Sequence, residues 1–469
     1  RRSNTSPDGW GSDGEHAPAP VQDPAHDARM PSATGREIAR LAIPAFLALI
    51  AEPLFLLADS AIVGHLGTAP LAGLGLASAV LLTAVGLFVF LAYGTTSVVA
   101  RQIGAGSRRG AIQAGMDGTW LAIALGLAVS VSLAFAADPV CRALGGDGPA
   151  LENAVSYLRV AVFGIPAMLV VMATTGVLRG LQDTVTPLAA NAVGAVANAG
   201  MNLLFVYGFH WGITGSAIGT VIAQTGMAGA LVRVLVRTAR AERAPLRPHP
   251  GRVLAAATDG IPLLVRTLAL RAILLVTTWV AAGLGEVPLA AHQVTATIWG
   301  LLTFALDALA IAGQALTGKA LGAGDIGAAR EATTVMIRWG IWGGVVLGVV
   351  TLAAHRMVPV LFTSDPAVRA AMAAALVVVA LGQPLSGYVF VVDGVLIGAG
   401  DTRWLAWAMG ATLAAYVPVA LVVRAVAPTD PPTAMVWLWA GFTWFMVVRG
   451  ALLRWRVRGD AWMVTGATR

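Results

Sequence analysis

Between Ala39 and Arg454 the chain of 469 residues is a succession of long apolar runs separated by short stretches of Gly, Pro and Arg. The run from Leu71 to Ala100 carries no charged residue and exceeds the roughly 20 residues that cross the hydrocarbon core of a bilayer as a helix. Backbone in lipid must satisfy its own hydrogen bonds, which leaves helices or a closed barrel. Runs this long, and this rich in Ala and Leu, exclude the short alternating strands of a barrel. Charged residues make up only 12% of the chain, against about 25% in soluble domains, so an ordinary soluble enzyme is excluded as well.

Twelve such segments can be marked off between residues 39 and 454, implying an all-α polytopic membrane protein with short connections. Residues 1–35, rich in Pro, Asp, Ser and Gly, read as a disordered cytoplasmic tail. The first six spans fill 36–236, a basic Pro-containing linker occupies 237–253, the second six spans fill 254–458, and 459–469 form a C-terminal tail. Basic residues crowd the loops on one side, among them Arg101, Arg108, Arg109, Arg237, Arg240, Arg243 and Arg247, whereas the opposite loops hold Arg142, Arg356, Arg369 and Arg424. The positive-inside rule then puts both termini in the cytoplasm. Arginines beside spans also argue against nucleic acid as the partner of this net +7 chain. The single cysteine, Cys141, permits no internal disulfide, and a composition with thirty arginines and one lysine suggests a GC-rich bacterial source.

The halves repeat. Ile43-Pro44 recurs as Ile261-Pro262, an offset of 218 residues that also carries Leu66-Gly67 onto Leu284-Gly285, Gly104-Ala105-Gly106 onto Gly322-Ala323-Gly324, Gly164 and Pro166 onto Gly382 and Pro384, and Asp183-Thr184 onto Asp401-Thr402. Six spans per repeat give both halves the same orientation, hence two six-helix lobes related by a pseudo-twofold along the membrane normal, with a cavity between them. That arrangement suits alternating access. A membrane enzyme would need clustered catalytic groups, and the seven histidines are dispersed without metal-ligand spacing. No cofactor is expected.

The run Glu52-Pro53-Leu54-Phe55-Leu56-Leu57-Ala58-Asp59-Ser60-Ala61-Ile62-Val63-Gly64-His65-Leu66-Gly67, with the Gly-Ala-Gly loops and the Gly-x-x-Asp-Thr turns, resembles the multidrug and toxic compound extrusion (MATE) family, particularly its DinF-like branch. The resemblance spans about residues 36–458. It implies a monomeric antiporter of a bacterial inner membrane that exports amphipathic, often cationic compounds in exchange for protons, with sodium as the alternative ion. Lipid-linked oligosaccharide flippases of the same superfamily are the rival reading.

Carboxylates inside a bilayer cost several kcal/mol and are functional candidates by default. Here they are Glu52, Asp59, Asp307 and Asp393. Glu52 and Asp59, two helical turns apart, share a face, and Pro53 between them should bend the helix. The resemblance gives Asp59 the place of the first-helix acid that is protonated or ion-bound during transport. Asn191, Asn198 and Asn202 share one face of the fifth span and are suited to bonding substrate, water or Asp59. In part of the family the last of these is an aspartate; Asn202 here weakens a two-carboxylate site and with it sodium coupling. In the second half, Arg266 and Arg271 face Asp307 and Gln314 on the next span, and Arg271 with Asp307 is the expected buried ion pair. Asp393 is expected nearer the cytoplasmic end, reaching interfacial water. Asp183 and Asp401 should cap the helices that follow them. Trp279, Trp299 and Trp404 are candidates for stacking on a planar cation.

Overall fold

The computed structural model describes residues 30–468, and side chains from residue 35 onward apart from those of Glu52, Leu54, Phe55 and Leu57. Of the disordered tail expected over 1–35, residues 1–29 lie outside the described residues, whereas 30–35 are helical and open α1. Among the described residues every regular element is helical. Twelve long helical segments follow one another: α1 (Met30–Gly64), α2 (Thr68–Gly104), α3 (Arg108–Ala143), α4 (Gly148–Gly180), α5 (Val185–Gly208) and α6 (Gly212–Ala241) in the first lobe, then α7 (Pro250–Leu284), α8 (Glu286–Gly322), α9 (Ile326–Ala354), α10 (Pro366–Gly398), α11 (Thr402–Val426) and α12 (Pro431–Arg458) in the second, with one short helix, Val358–Phe362, between α9 and α10. Eleven of them, α2 to α12, have the length and hydropathy of a span; α1 has 35 residues with Pro44 and Pro53 inside it. Several helices run past their apolar stretch, because arginine-rich turns remain helical in water. The non-helical connection between the lobes accordingly shrinks to 242–249.

The pseudo-twofold shows in matched local devices. Ser107 caps α3 by accepting from the Gly110 N–H at 3.2 Å, and its counterpart Asp325 caps α9 by accepting from Ala328 N–H at 2.8 Å. The turns before these caps need left-handed backbone, supplied by Gly106 (φ 75°) and Gly324 (φ 79°).

The lobes meet along α2 and α8. A Cβ on Gly104 would collide with the backbone carbonyl of Lys319, and one on Gly322 with that of Arg101, so hydrogen at both positions lets the helices close to backbone contact. Around this point the seam is tied reciprocally. Arg101 on α2 donates to the carbonyl of Ala399 in the α10–α11 turn at 3.0 Å, and Lys319, its equivalent on α8, donates to Gln182 in the α4–α5 turn at 3.0 Å. The Ser97 hydroxyl donates to Gly398 O at 3.1 Å, and Arg252 pairs with Asp117 at 2.9 Å. The C-terminal segment adds a strap: Arg101 donates to Val464 O at 2.8 Å, the Gly466 N–H donates to Leu321 O at 3.0 Å, and Trp462 is fully buried. All of these ties lie at the arginine-rich end. Farther along the seam, the Tyr93 hydroxyl on α2 bonds Asp307 on α8.

Candidate functional site

Two polar clusters lie inside the apolar bundle. In the first lobe, Asp59 near the end of α1 is buried, 3% exposed. Its Oδ1 accepts from the amides of Asn198 at 2.7 Å and Asn202 at 2.5 Å, and Thr220 Oγ1 on α6 stands 3.5 Å from Oδ2. The four-residue spacing on α5 sets both amides on the face turned to α1. Gly219 makes room for them, since a Cβ there would strike the Asn202 side chain. Just beyond Asn202 the helix winds into a π turn, Leu204–Gly208, a local irregularity frequent at functional sites. The Oδ1 atoms of Asn198 and Asn202 are buried without a partner. No described cation pairs with this carboxylate, so its charge is held by neutral donors alone. Asn191, two turns back, serves differently: it reaches the Ala48 carbonyl at 3.4 Å and joins α5 to α1. The side chain of Glu52 lies outside the described residues.

The second cluster gathers charges from five helices. Asp393 on α10 is buried, 5% exposed, between Arg449 of α12 at 2.8 Å and Arg266 of α7. Asp307 on α8 accepts from the Tyr93 hydroxyl at 3.1 Å, and Arg179 of α4 and Arg266 bear on it electrostatically. Tyr93 and Asp307 are half-buried, whereas Arg179, Arg266 and Arg449 are buried. Gln314 is buried two turns beyond Asp307, its Oε1 without a partner.

This geometry corrects three expectations. Arg271 does not pair with Asp307; it is exposed, lying against Gly86. Asp393 does not reach interfacial water. It sits five residues from the end of α10, but α8 protrudes beyond α10, and Gly394 packs on the backbone of Ala310, well inside α8. Asp401 gives no side-chain cap to α11 and is instead engaged by Arg456 at 2.6 Å, although Asp183 does cap α5 through the N–H groups of Val185 and Thr186. Of the three tryptophans, Trp279 lies under Arg424 and Trp404 near Arg456, each occupied by a cation of its own chain, while Trp299 packs edge-on to Phe442 beside a water-sized void. Sequence reading missed Tyr93, Thr220, Arg179 and Arg449. The two arginines lie inside apolar segments, and that position was the available signal.

A family model described as MatE matches residues 44–204 and again 262–422, two stretches separated by the offset of the internal repeat. Protein DETOXIFICATION 44, chloroplastic, of Arabidopsis thaliana is 32% identical over 435 residues, covering 90% of this chain and 82% of that protein. DNA damage-inducible protein F of Escherichia coli strain K12 is 26% identical over 426 residues, covering 88% and 90%. The solved structure of a Vibrio cholerae MATE transporter matches with a TM-score of 0.83 at 20% identity, covering 92% of this chain and 99% of that one.

Proposed function

The chain belongs to the MatE family of membrane transporters, and from that premise we propose that it is a proton-coupled antiporter expelling amphipathic, often cationic compounds across a bacterial cytoplasmic membrane. The observation that carries this reading is the Asp59 cradle. Two amides donate to the carboxylate, and each keeps a buried oxygen without a partner. An amide turned over presents that oxygen instead, and a protonated Asp59 then has an acceptor for its hydrogen. One set of side chains therefore serves both charge states, as a site that loads and releases a proton requires. With Asn202 rather than a second acid beside it, Asp59 is the one carboxylate described in this cradle, fewer charged oxygens than sodium favours, which supports the proton as the coupling ion.

Coupling runs through the lobes. Ties concentrated at the arginine-rich end suit a state closed there and open toward the opposite side, and the positive-inside rule makes the closed side cytoplasmic. Proton entry at Asp59 neutralises the first lobe and releases substrate outward; parting of the seam returns the proton to the cytoplasm. Inward movement of one positive charge is driven by about 2.3 kcal/mol per 100 mV. One chain holds both lobes and both clusters, so a monomer suffices.

The test is uptake of a fluorescent amphipathic cation into inside-out vesicles under proton and sodium gradients imposed separately. Proton-driven uptake that disappears in Asp59→Asn is the expected result. Uptake that follows sodium alone, or survives Asp59→Asn undiminished, overturns it. Uptake absent under both gradients moves the reading to the lipid flippase.

A further inference from the structure

The second cluster is not electrically balanced. Arg179, Arg266 and Arg449 stand against Asp307 and Asp393, leaving one guanidinium in excess. Asp393 already serves two of the cations, and Asp307 takes its hydrogen bonds from a neutral phenol. Among the described residues no hydrogen bond of the Arg179 guanidinium is found, and the Nε of Arg266 is buried without a partner. An uncompensated charge at this depth is expensive and calls for a counter-ion. Among the described residues no third acid joins the cluster, and at the repeat-related positions of Asp307 and Asp393 the first lobe has Val89 and Thr175. The half-buried Tyr93 and Asp307 lie at the seam between lobes and keep partial exposure there.

We infer that Arg179, with Arg266 behind it, forms a subsite for an anionic group, a carboxylate or phosphate, carried by the transported molecule. The inference rests on the antiporter reading for the ligand being cargo. A guanidinium presents several N–H donors in a plane and takes such groups through paired hydrogen bonds. The substrate class then narrows to amphipathic zwitterions and anions, with the charged group held at the seam. A ligand anion bridging Arg179 of the first lobe and Arg266 of the second would touch both moving parts, as a midplane substrate between repeats must.

Rhodamine B and its ethyl ester share one cationic aromatic body and differ in a single carboxylate. Their binding to the purified wild-type protein in detergent is followed by fluorescence anisotropy, with no gradient present, so failure of proton coupling and failure of this site are read separately. The free acid is expected to bind about 10-fold tighter than the ester, the size of a charge-assisted hydrogen bond. In Arg179→Gln the ratio falls to about one, while Arg179→Lys keeps part of it. Equal affinity of the two dyes for the wild type overturns the inference, as does an acid preference that persists in Arg179→Gln. A preference abolished by added chloride but indifferent to Arg179→Gln points to a resident inorganic ion and overturns it too.

Discussion

The two lobes share a backbone plan and differ in what they bury. At the position of Asp59 the second lobe has Thr277, and at that of Asn198 it has Tyr416; these two hydroxyls meet at 2.6 Å, a neutral copy of the acid–amide contact. Conversely, the arginines that hold Asp393 have Ala48 and Leu231 as counterparts in the first lobe. Duplication supplied the helix positions, and side-chain exchange then gave each lobe its own electrostatics. The first holds Asp59 among neutral donors, free to change charge. The second holds Asp393 pinned between two cations, which fix its charge.

The sharpest way to break this contrast is to neutralise one acid in each lobe and compare thermal unfolding in detergent. Asp393→Asn strips two buried arginines of their acid and should cost about 3–5 kcal/mol, the loss typical of an orphaned buried charge. Asp59→Asn orphans no cation, and the new amide still accepts from Asn198 and Asn202. Its stability should stay within about 1 kcal/mol of wild type while coupled transport is lost. Equal destabilisation by the two substitutions would mean that the first lobe is pinned as well.

The cradle itself gives the next effect. Asn198→Ala or Asn202→Ala removes one donor from a buried carboxylate and should cost about 1.5–3 kcal/mol wherever Asp59 is ionised. The loss is measured as unfolding at alkaline pH, and it should shrink once the medium is acid enough to protonate Asp59. A loss independent of pH would show that Asp59 keeps one charge state throughout.

Span count, repeat and the Asp59 face could be read in advance because each follows from periodicity along one chain. Length and hydropathy fix a span, a constant offset fixes the repeat, and four-residue spacing fixes a helix face. The second cluster could not be read that way. Whether Asp307 meets Arg271 or Tyr93 depends on which helices are neighbours and how they rotate, and α2 of the other lobe supplies the partner. Depth was misjudged for the same reason: distance from the end of α10 says little when α8, against which it packs, protrudes beyond it. Arg179 and Arg449 are single charges on apolar segments, and only the packing of neighbouring helices shows that both are buried.

The seam can be probed at a place where the lobes remain symmetric. Gly322→Ala puts a methyl against the carbonyl of Arg101, an overpacking that costs about 1–3 kcal/mol. The penalty applies only while the arginine-rich end is closed, so the substitution should shift the population toward the opposite state. Thiol labelling of a cysteine introduced at Ser97, which is buried beside Gly398, should accelerate in that background. An unchanged labelling rate would mean that the seam does not part there.

The smallest effect concerns the neutral copy. Thr277→Val deletes the hydroxyl that meets Tyr416, and one hydrogen bond between uncharged groups is worth about 1 kcal/mol. The backbone carbonyl of Ile273, to which Thr277 also donates at 2.8 Å, keeps its helical partner and loses little. Proton-driven uptake should persist in Thr277→Val, because no charge changes hands in this half of the molecule. A collapse of uptake to the level of Asp59→Asn, with stability preserved, would show that the second lobe relays the proton through Thr277 and Tyr416, and the division of labour between the lobes would have to be redrawn.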